Sequence, residues 1–471
     1  MTVTQALGRH TAEARRDWPA PVRRAALRAV VDTCACMVAG RADPAARTIS
    51  SALSRWGCGG ALDLVSAKRT AAPWAAIANA TAAHALDYDD VLETAAAHAS
   101  AAFVPALLAL AQERKASGAQ VLDALAVSFD IMNALAAAVN YPHYARGWHT
   151  TLTLGAPSAA AGCARLLGLS AERAARAISI ATSFSSGSKL QFGTQMKPTH
   201  AGLAAQAGIL AASFAEQGLT AAPEILEGAW SFEALFGADG MPGLRAAEER
   251  LKGPPALAEP GAWIKAYPCC ASAHRPIDAM LYLRRTAELA PGEIERVDAF
   301  VSAIVQKNLM YERPLDEMEA RFSLNHCLAV AACRRGAGLS DFTRAALADS
   351  ELVAFWPKVF MHLDPDIPAN LAPASGEERC RLIVTLAGGQ RLEHTVTYPS
   401  GHPQAPMSDA DLARKFKDCA KDVLSPAAVD AALEGLLALE HAQDLDAILA
   451  TLVPPNPGMR IDEKTGAERN G

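Results

Sequence analysis

IKAYPCCASAHRP, residues 264–276, divides this chain in two. Upstream of it, apolar residues recur every three or four positions, as in Ala26, Val30, Val31, Cys34 and Met37, the period of an amphipathic helix. The same period predicts helices over 72–92, 100–117, 119–139, 151–167, 171–181 and 200–217. Many of them carry small residues at close spacing, Gly155, Ala159, Ala160 and Cys163 among them, which lets helix backbones approach one another. Downstream, residues 294–305 (IERVDAFVSAIV) alternate apolar and polar like a strand. Two β-branched runs, 380–386 and 391–398, then flank Ala387-Gly388-Gly389-Gln390, a loop whose glycines accept positive φ, and predict a hairpin. Helical periodicity returns over 409–423 and 426–440. The fold expected is mainly α with an α+β insertion. Residues 1–266 and 401–471 would form a large all-helical domain, and residues 267–400 a smaller α+β lid domain.

Composition supports a globular protein and excludes several partners. The 471 residues correspond to two or three compact units at about 150 residues each. Hydrophobic residues make up 51% against 20% charged, the reverse of a disordered chain. The formal charge of −6 offers no positive field to nucleic acid or to an anionic membrane surface. Apolar runs are broken by Gly, Ser, His or charge before the roughly 20 residues that span a bilayer, so no membrane helix is expected. The N-terminus mixes charge with apolar residues and lacks a secretory pattern. Ten cysteines stand scattered without a CxxC pair, which reads as packed free thiols in a reducing, cytoplasmic setting.

Four constellations could do chemistry. His84-Ala-Leu-Asp87-Tyr-Asp89-Asp90, with His98, brings carboxylates and imidazoles together. If the helix continues through it, His84, Asp87 and Asp90 share one face while Asp89 points elsewhere. A metal site, a solvated acidic helix end and a metal-free acid/base site all fit these residue types; without an HExxH or a cysteine ligand the acid/base reading leads. Arg146-Gly-Trp-His149-Thr150-Thr151 precedes a small-residue helix that Thr150 could cap, placing His149 at its positive end. In Phe192-Gly-Thr-Gln-Met-Lys197-Pro198-Thr-His200, the proline predicts that Lys197 lies before the helix rather than in it. Around the dividing stretch, Lys265, Tyr267 and His274 are candidate cation and hydrogen-bond donors, whereas Cys269-Cys270 reads as packing. No glycine-rich phosphate loop, dinucleotide fingerprint, nucleophile elbow or cysteine-rich cluster is present, so neither cofactor nor metal is expected.

Taken in order, HALDYDD (84–90) with His98, RGWHTT (146–151), FGTQMKPTHAG (192–202), IKAYPCCASAHRPIDA (264–279) and YERPLDEMEARFSL (311–324) resemble the MmgE/PrpD family. That family includes 2-methylcitrate dehydratases, cis-aconitate decarboxylases and iminodisuccinate epimerases. The resemblance implies a helical domain with an α+β lid, usually in a homodimer, and a small polycarboxylate substrate. It maps the decarboxylases' active-site residues onto Asp87, His98, His149, Lys197 and Lys265, with Tyr311 as a weaker match; Lys197, Lys265 and Tyr311, together with Tyr267 and His274 read from their residue types, are the substrate-binding candidates. It departs from the decarboxylases at Val91, where they carry Thr, and in setting His98 one residue farther from Asp87. The dehydratases' His-Pro pattern is replaced by His98-Ala99-Ser100-Ala101. The activity implied is a lyase acting at the carbon beside a carboxylate, with epimerisation, or a binding protein that has lost the chemistry, as alternatives.

Overall fold

Small residues set how closely the helices of this chain meet. A Cβ added to Gly202, in the helix Met196–Glu216, would stand 2.5 Å from Thr81 Oγ1 and 2.6 Å from Ile77 O of the helix Ala72–Ala85. One added to Gly208 would stand 2.5 Å from the Cβ of Ala159 in Gly155–Leu166. Met196–Glu216 is therefore wedged between two helices, and any side chain at either glycine would force them apart. The computed structural model describes residues 1–237, 241–334, 336–368 and 378–454.

The structure is mainly α with some β, and its buried apolar side chains form two cores. One gathers helices from residue 3 onward and takes in Leu412, Phe416, Leu433 and Leu449 from the far end of the chain. The other runs from Cys269 to Val384 and covers a four-stranded sheet in the order β4-β3-β5-β6. β3 (Ile294–Val301) pairs in parallel with β4 (Val359–Leu363) and antiparallel with β5 (Cys380–Leu386), which pairs antiparallel with β6 (Arg391–Val396). The helices His274–Thr286 and Leu324–Arg334 pack on this sheet. A short hairpin, β1 (Ala61–Asp63) with β2 (Lys68–Thr70), lies within the first part of the chain and has no strong alternation to announce it.

The expected hairpin over 380–398 is present with the glycine loop at its tip. The strand expected over 294–305 stops at Val301, because the Ser302 hydroxyl accepts the Val305 N–H and starts the helix Ala303–Asn308. The segment 151–167 forms two helices, Thr150–Thr153 and Gly155–Leu166. Contrary to expectation, one helix, Gly118–Val139, is long and apolar enough to cross a bilayer by length and composition. Its apolarity serves packing: 89% of that window is buried inside the protein. Its two acids also have partners, since Asp123 accepts from Arg165 at 2.8 Å and Asp130 meets His10 at 2.9 Å.

Candidate active site

The helix Ala72–Ala85 ends two residues before Asp87, which takes a left-handed φ of 51°. That reversal overturns the helical reading of 84–90. Asp89, rather than Asp87 or Asp90, accepts from His84, with Nδ1 at 2.9 and 3.0 Å from its two oxygens. Asp90 turns away to accept from Ser100 N at 3.0 Å and Ser100 Oγ at 2.5 Å, fastening the start of the helix Ala99–Arg114. A left-handed conformation at a residue with a side chain costs about 1–2 kcal/mol. Lys265 offsets that cost by donating both to the Asp87 carbonyl at 2.8 Å and to its Oδ1 at 2.9 Å.

Lys197 donates to the same Oδ1 at 2.6 Å. It lies within the first turn of Met196–Glu216 rather than before it: Pro198 is tolerated there because an N–H in the first turn has no helical partner to lose. His98 precedes its helix and points back, with Nδ1 3.1 Å from Asp90 O and 3.3 Å from Asp89. Two acceptors there fix the proton on Nδ1, leaving Nε2 at 3.5 Å from Asp87 Oδ1. His149 is the residue that precedes Thr150–Thr153, and its Nδ1 meets His200 Nδ1 at 2.8 Å. Thr150 does not cap that helix; its hydroxyl donates to Ala96 O at 2.6 Å, tying the His149 turn to the His98 turn.

Asp87, His98, His149 and Lys197 line one cavity of about 100 Å³, with Lys265 directly behind Asp87. Phe192, Phe322 and Trp263 supply its apolar walls. The three other candidates do not line it. Tyr267 donates to Asp278 and faces a separate cleft of about 1120 Å³. His274 is wholly buried against Trp263 and Tyr267, with Nε2 3.3 Å from Cys269 O. Tyr311 packs where a side chain on Gly193 would collide with its hydroxyl, so it backs the loop before Lys197. The cavity also holds Arg275, Glu93, Ser272 and Asn308, which the sequence alone did not single out. Arg275 reaches Glu93 at 3.1 Å, and Glu93 meets His402 at 3.1 Å, so residues far apart in the chain close one wall. His200 could have been noticed, because a residue three positions after Lys197 shares its helix face.

Burial opposes the charge on Asp87, but Lys197 and Lys265 outweigh it and hold its carboxyl well below the ordinary range. For Lys265, burial is likewise overcome, by Asp87 and Asp89, and its pKa is raised. The histidines go the other way. Burial is the largest cause for each, taking His84 down to about 3 and His200 to about 4, and lowering His98 and His149 as well. The site therefore presents ionised Asp87 between two ammonium groups and ionised Asp89 against the His84 and His98 rings, with the imidazoles neutral.

Ligand atoms of His84, Asp87, Asp89 and His98 lie within 4.8 Å of one another, close enough to hold a metal ion. Their chemistry fits an ion poorly. Asp87 Oδ1 is already shared by two ammonium groups, whose charge repels a further cation, and Asp89 is taken up by the Nδ1–H groups of His84 and His98, which leaves only the Nε2 atoms of those rings as ligands.

Two family models match the chain, the MmgE/PrpD N-terminal domain over residues 5–243 and the MmgE/PrpD C-terminal domain over 267–440. Among curated proteins it is similar to a cis-aconitate decarboxylase of Homo sapiens, 27% identical over 403 residues, covering 82% of this chain and 80% of the relative. A cis-aconitate decarboxylase of Aspergillus terreus is 26% identical over 472 residues, covering 93% of each. The cis-aconitate decarboxylase-like protein oryM of Aspergillus oryzae is 24% identical over 462 residues, covering 93% of this chain and 94% of the relative.

Proposed function

The chain belongs to the MmgE/PrpD family, and on that premise we propose that it is a lyase of the decarboxylase type acting on a small polycarboxylate such as cis-aconitate. The observation that carries this reading is the setting of Lys197. Its ammonium lies 2.6 Å from Asp87 yet only 5.2 Å from the centre of the Phe322 ring, so one cavity offers fixed positive charge beside apolar walls.

Decarboxylation needs both. A carboxylate against apolar walls is disfavoured relative to the neutral CO₂ it becomes, and a cation placed where the electron pair moves stabilises the carbanion-like state. In cis-aconitate, breaking the bond between the methylene carbon and its carboxylate releases CO₂. The freed pair forms a new C=C, and the electrons of the old double bond move to the carbon beside the remaining terminal carboxylate. That carbon takes one proton, giving an unsaturated dicarboxylate. Lys197, with Lys265 behind it, would stabilise the migrating charge. His149 would supply the proton, and His98, held by Asp89, would help place the substrate, since this step has no proton for a base to remove. Proton transfer by a placed group contributes about 10²–10⁴ in rate.

The test is incubation of the purified protein with cis-aconitate in D₂O, followed by NMR. The expected outcome is release of CO₂ and an unsaturated dicarboxylate carrying one deuterium on the newly saturated carbon. Two imidazoles lining one cavity, His98 and His149, also suit an epimerase. Deuterium washing into recovered stereoisomers of a dicarboxylate, without loss of CO₂, would establish that reading instead.

A further inference from the structure

His149 and His200 face each other through the same ring atom. Nδ1 to Nδ1 is 2.8 Å, and the two side chains are almost fully buried, at 1% and 4% exposure. Two nitrogens this close hold one proton between them: with none the lone pairs repel, and with two the N–H groups collide. If His200 donates, His149 accepts at Nδ1 and carries its proton on Nε2. If His149 donates, its Nε2 is bare. The surroundings keep the pair in this arrangement. The Gly187 carbonyl accepts the His149 backbone N–H at 2.9 Å, and Phe192 packs edge-on at 4.9 Å between ring centres.

We infer that His200 is a positioning residue that passes a proton to His149 as His149 gives one up, so that a buried neutral acid can act without becoming an imidazolate. The inference rests on the proposed lyase reading for the identity of the proton acceptor. In the step, the His149 Nε2–H bond breaks and its proton goes to the carbanionic carbon. The His200 Nδ1–H proton moves to His149 Nδ1, and His200 Nε2 takes a proton from water. One proton passes from solvent to substrate, both rings stay neutral, and the hydrogen bond between them reverses; after product leaves, water protonating His149 Nε2 drives the protons back toward His200 and restores the acid. The electrostatics require such a route. His84, His98 and Lys197 face His149, and Lys197 also faces His200; with burial they disfavour an imidazolium at either position. A neutral imidazole that gives up its only proton becomes an imidazolate unless another arrives at the far nitrogen, and His200 is the group there.

His200→Asn tests this, because a carboxamide can still hydrogen-bond His149 but cannot pass a proton through. Expected are a fall in kcat of about 10²-fold with KM within about threefold, and a plot of rate against deuterium fraction that is curved for the wild type and linear for the variant. In ¹⁵N-histidine-labelled protein without substrate, the two Nδ1 atoms should show a coupling through their shared proton. Wild-type kcat and an unchanged curved plot in His200→Asn would overturn the relay, as would absence of the coupling. Should His200→Asn fail to fold, His200→Gln takes its place. Lack of turnover of cis-aconitate by the wild type would sink the lyase reading alone, and the NMR coupling would still decide for or against the shared proton.

Discussion

Two buried lysine–aspartate clusters adjoin one another in this protein, and they differ in how fully each ammonium is used. Lys415, from the helix Asp409–Ala420, is wholly engaged inside the protein: it donates to the Tyr88 carbonyl at 2.7 Å and the Lys265 carbonyl at 2.9 Å and forms an ion pair with Asp32 at 2.6 Å. Lys197 has a single hydrogen-bond acceptor among the described residues, Asp87, and otherwise faces aromatic rings and the cavity. The first cluster is closed and holds the backbone on either side of the site. The second is open on the cavity side, where N–H groups remain for a ligand. A buried cation is costly to hold, so leaving one incompletely paired makes sense only where a ligand completes it.

The contrast breaks most visibly at Lys197. Lys197→Met should lower kcat/KM for the true substrate by about 10²–10⁴-fold, at a smaller loss of stability than removal of a sole partner brings, because Lys265 still pairs with Asp87 at 2.9 Å and the rings of Phe192 and Phe322 provide an apolar bed. Retention of wild-type turnover would show that the open ammonium is structural after all. Lys415→Met should do the opposite. Removing one partner of a buried ion pair costs about 3–5 kcal/mol, read as a lower urea midpoint, while the folded fraction keeps more activity than Lys197→Met does. If instead Lys415→Met unfolds no more easily than wild type, the closed cluster is not a fastening.

Acid separates the two clusters next. Folding holds His84 at about 3 and His200 at about 4, against an ordinary 6.5. Unfolded histidines bind protons as pH falls through 6.5, whereas these refuse them until pH 3–4. Stability is therefore fully present above pH 6.5 and declines progressively below it, by up to a few kcal/mol. The Asp32–Lys415 pair contains no histidine. Replacing His84 and His200 together should flatten the acid limb of a stability profile measured by urea unfolding between pH 4 and 7, whereas Lys415→Met should recover part of its loss as pH falls, because Asp32, already raised by burial, loses the cation that holds it down and binds a proton in the folded state.

Much of the fold could be read from the sequence because its signals are local. Alanine-rich periodicity marks Gly118–Val139 and Ala171–Thr182 nearly to the residue, and the glycines at 388–389 mark the hairpin. The site was legible as a set of residue types, since Asp87, His98, His149 and Lys197 do converge on one cavity. What failed was direction. Helical periodicity carried through 84–90 sends Asp89 the wrong way, because nothing local announces the reversal at Asp87; Lys265, some 180 positions away, stabilises it. Lys415 carries no signal at all: on its own helix it looks like any other lysine, and its three partners come from three separate segments.

The smallest effect probes whether the closed cluster reaches the open one through the residue between them. Tyr88 follows Asp87 directly; its ring lies 3.9 Å under the Lys415 ammonium, and its hydroxyl donates to the Ala266 carbonyl over a long 3.3 Å. Tyr88→Phe keeps the ring, and with it the cation–π contact, and removes only that weak hydrogen bond. A neutral hydrogen bond is worth about 0.5–1.5 kcal/mol net, and at this length the lower end applies, so urea unfolding should register a small loss and kcat should not change. Tyr88→Leu also removes the π face, worth about 2 kcal/mol when desolvated, and should destabilise further. The ordering of the pair carries the argument. If Tyr88→Phe alone reduced kcat while leaving stability intact, the hydroxyl's hold on Ala266 would be setting Lys265 against Asp87, and the two clusters would have to be treated as one.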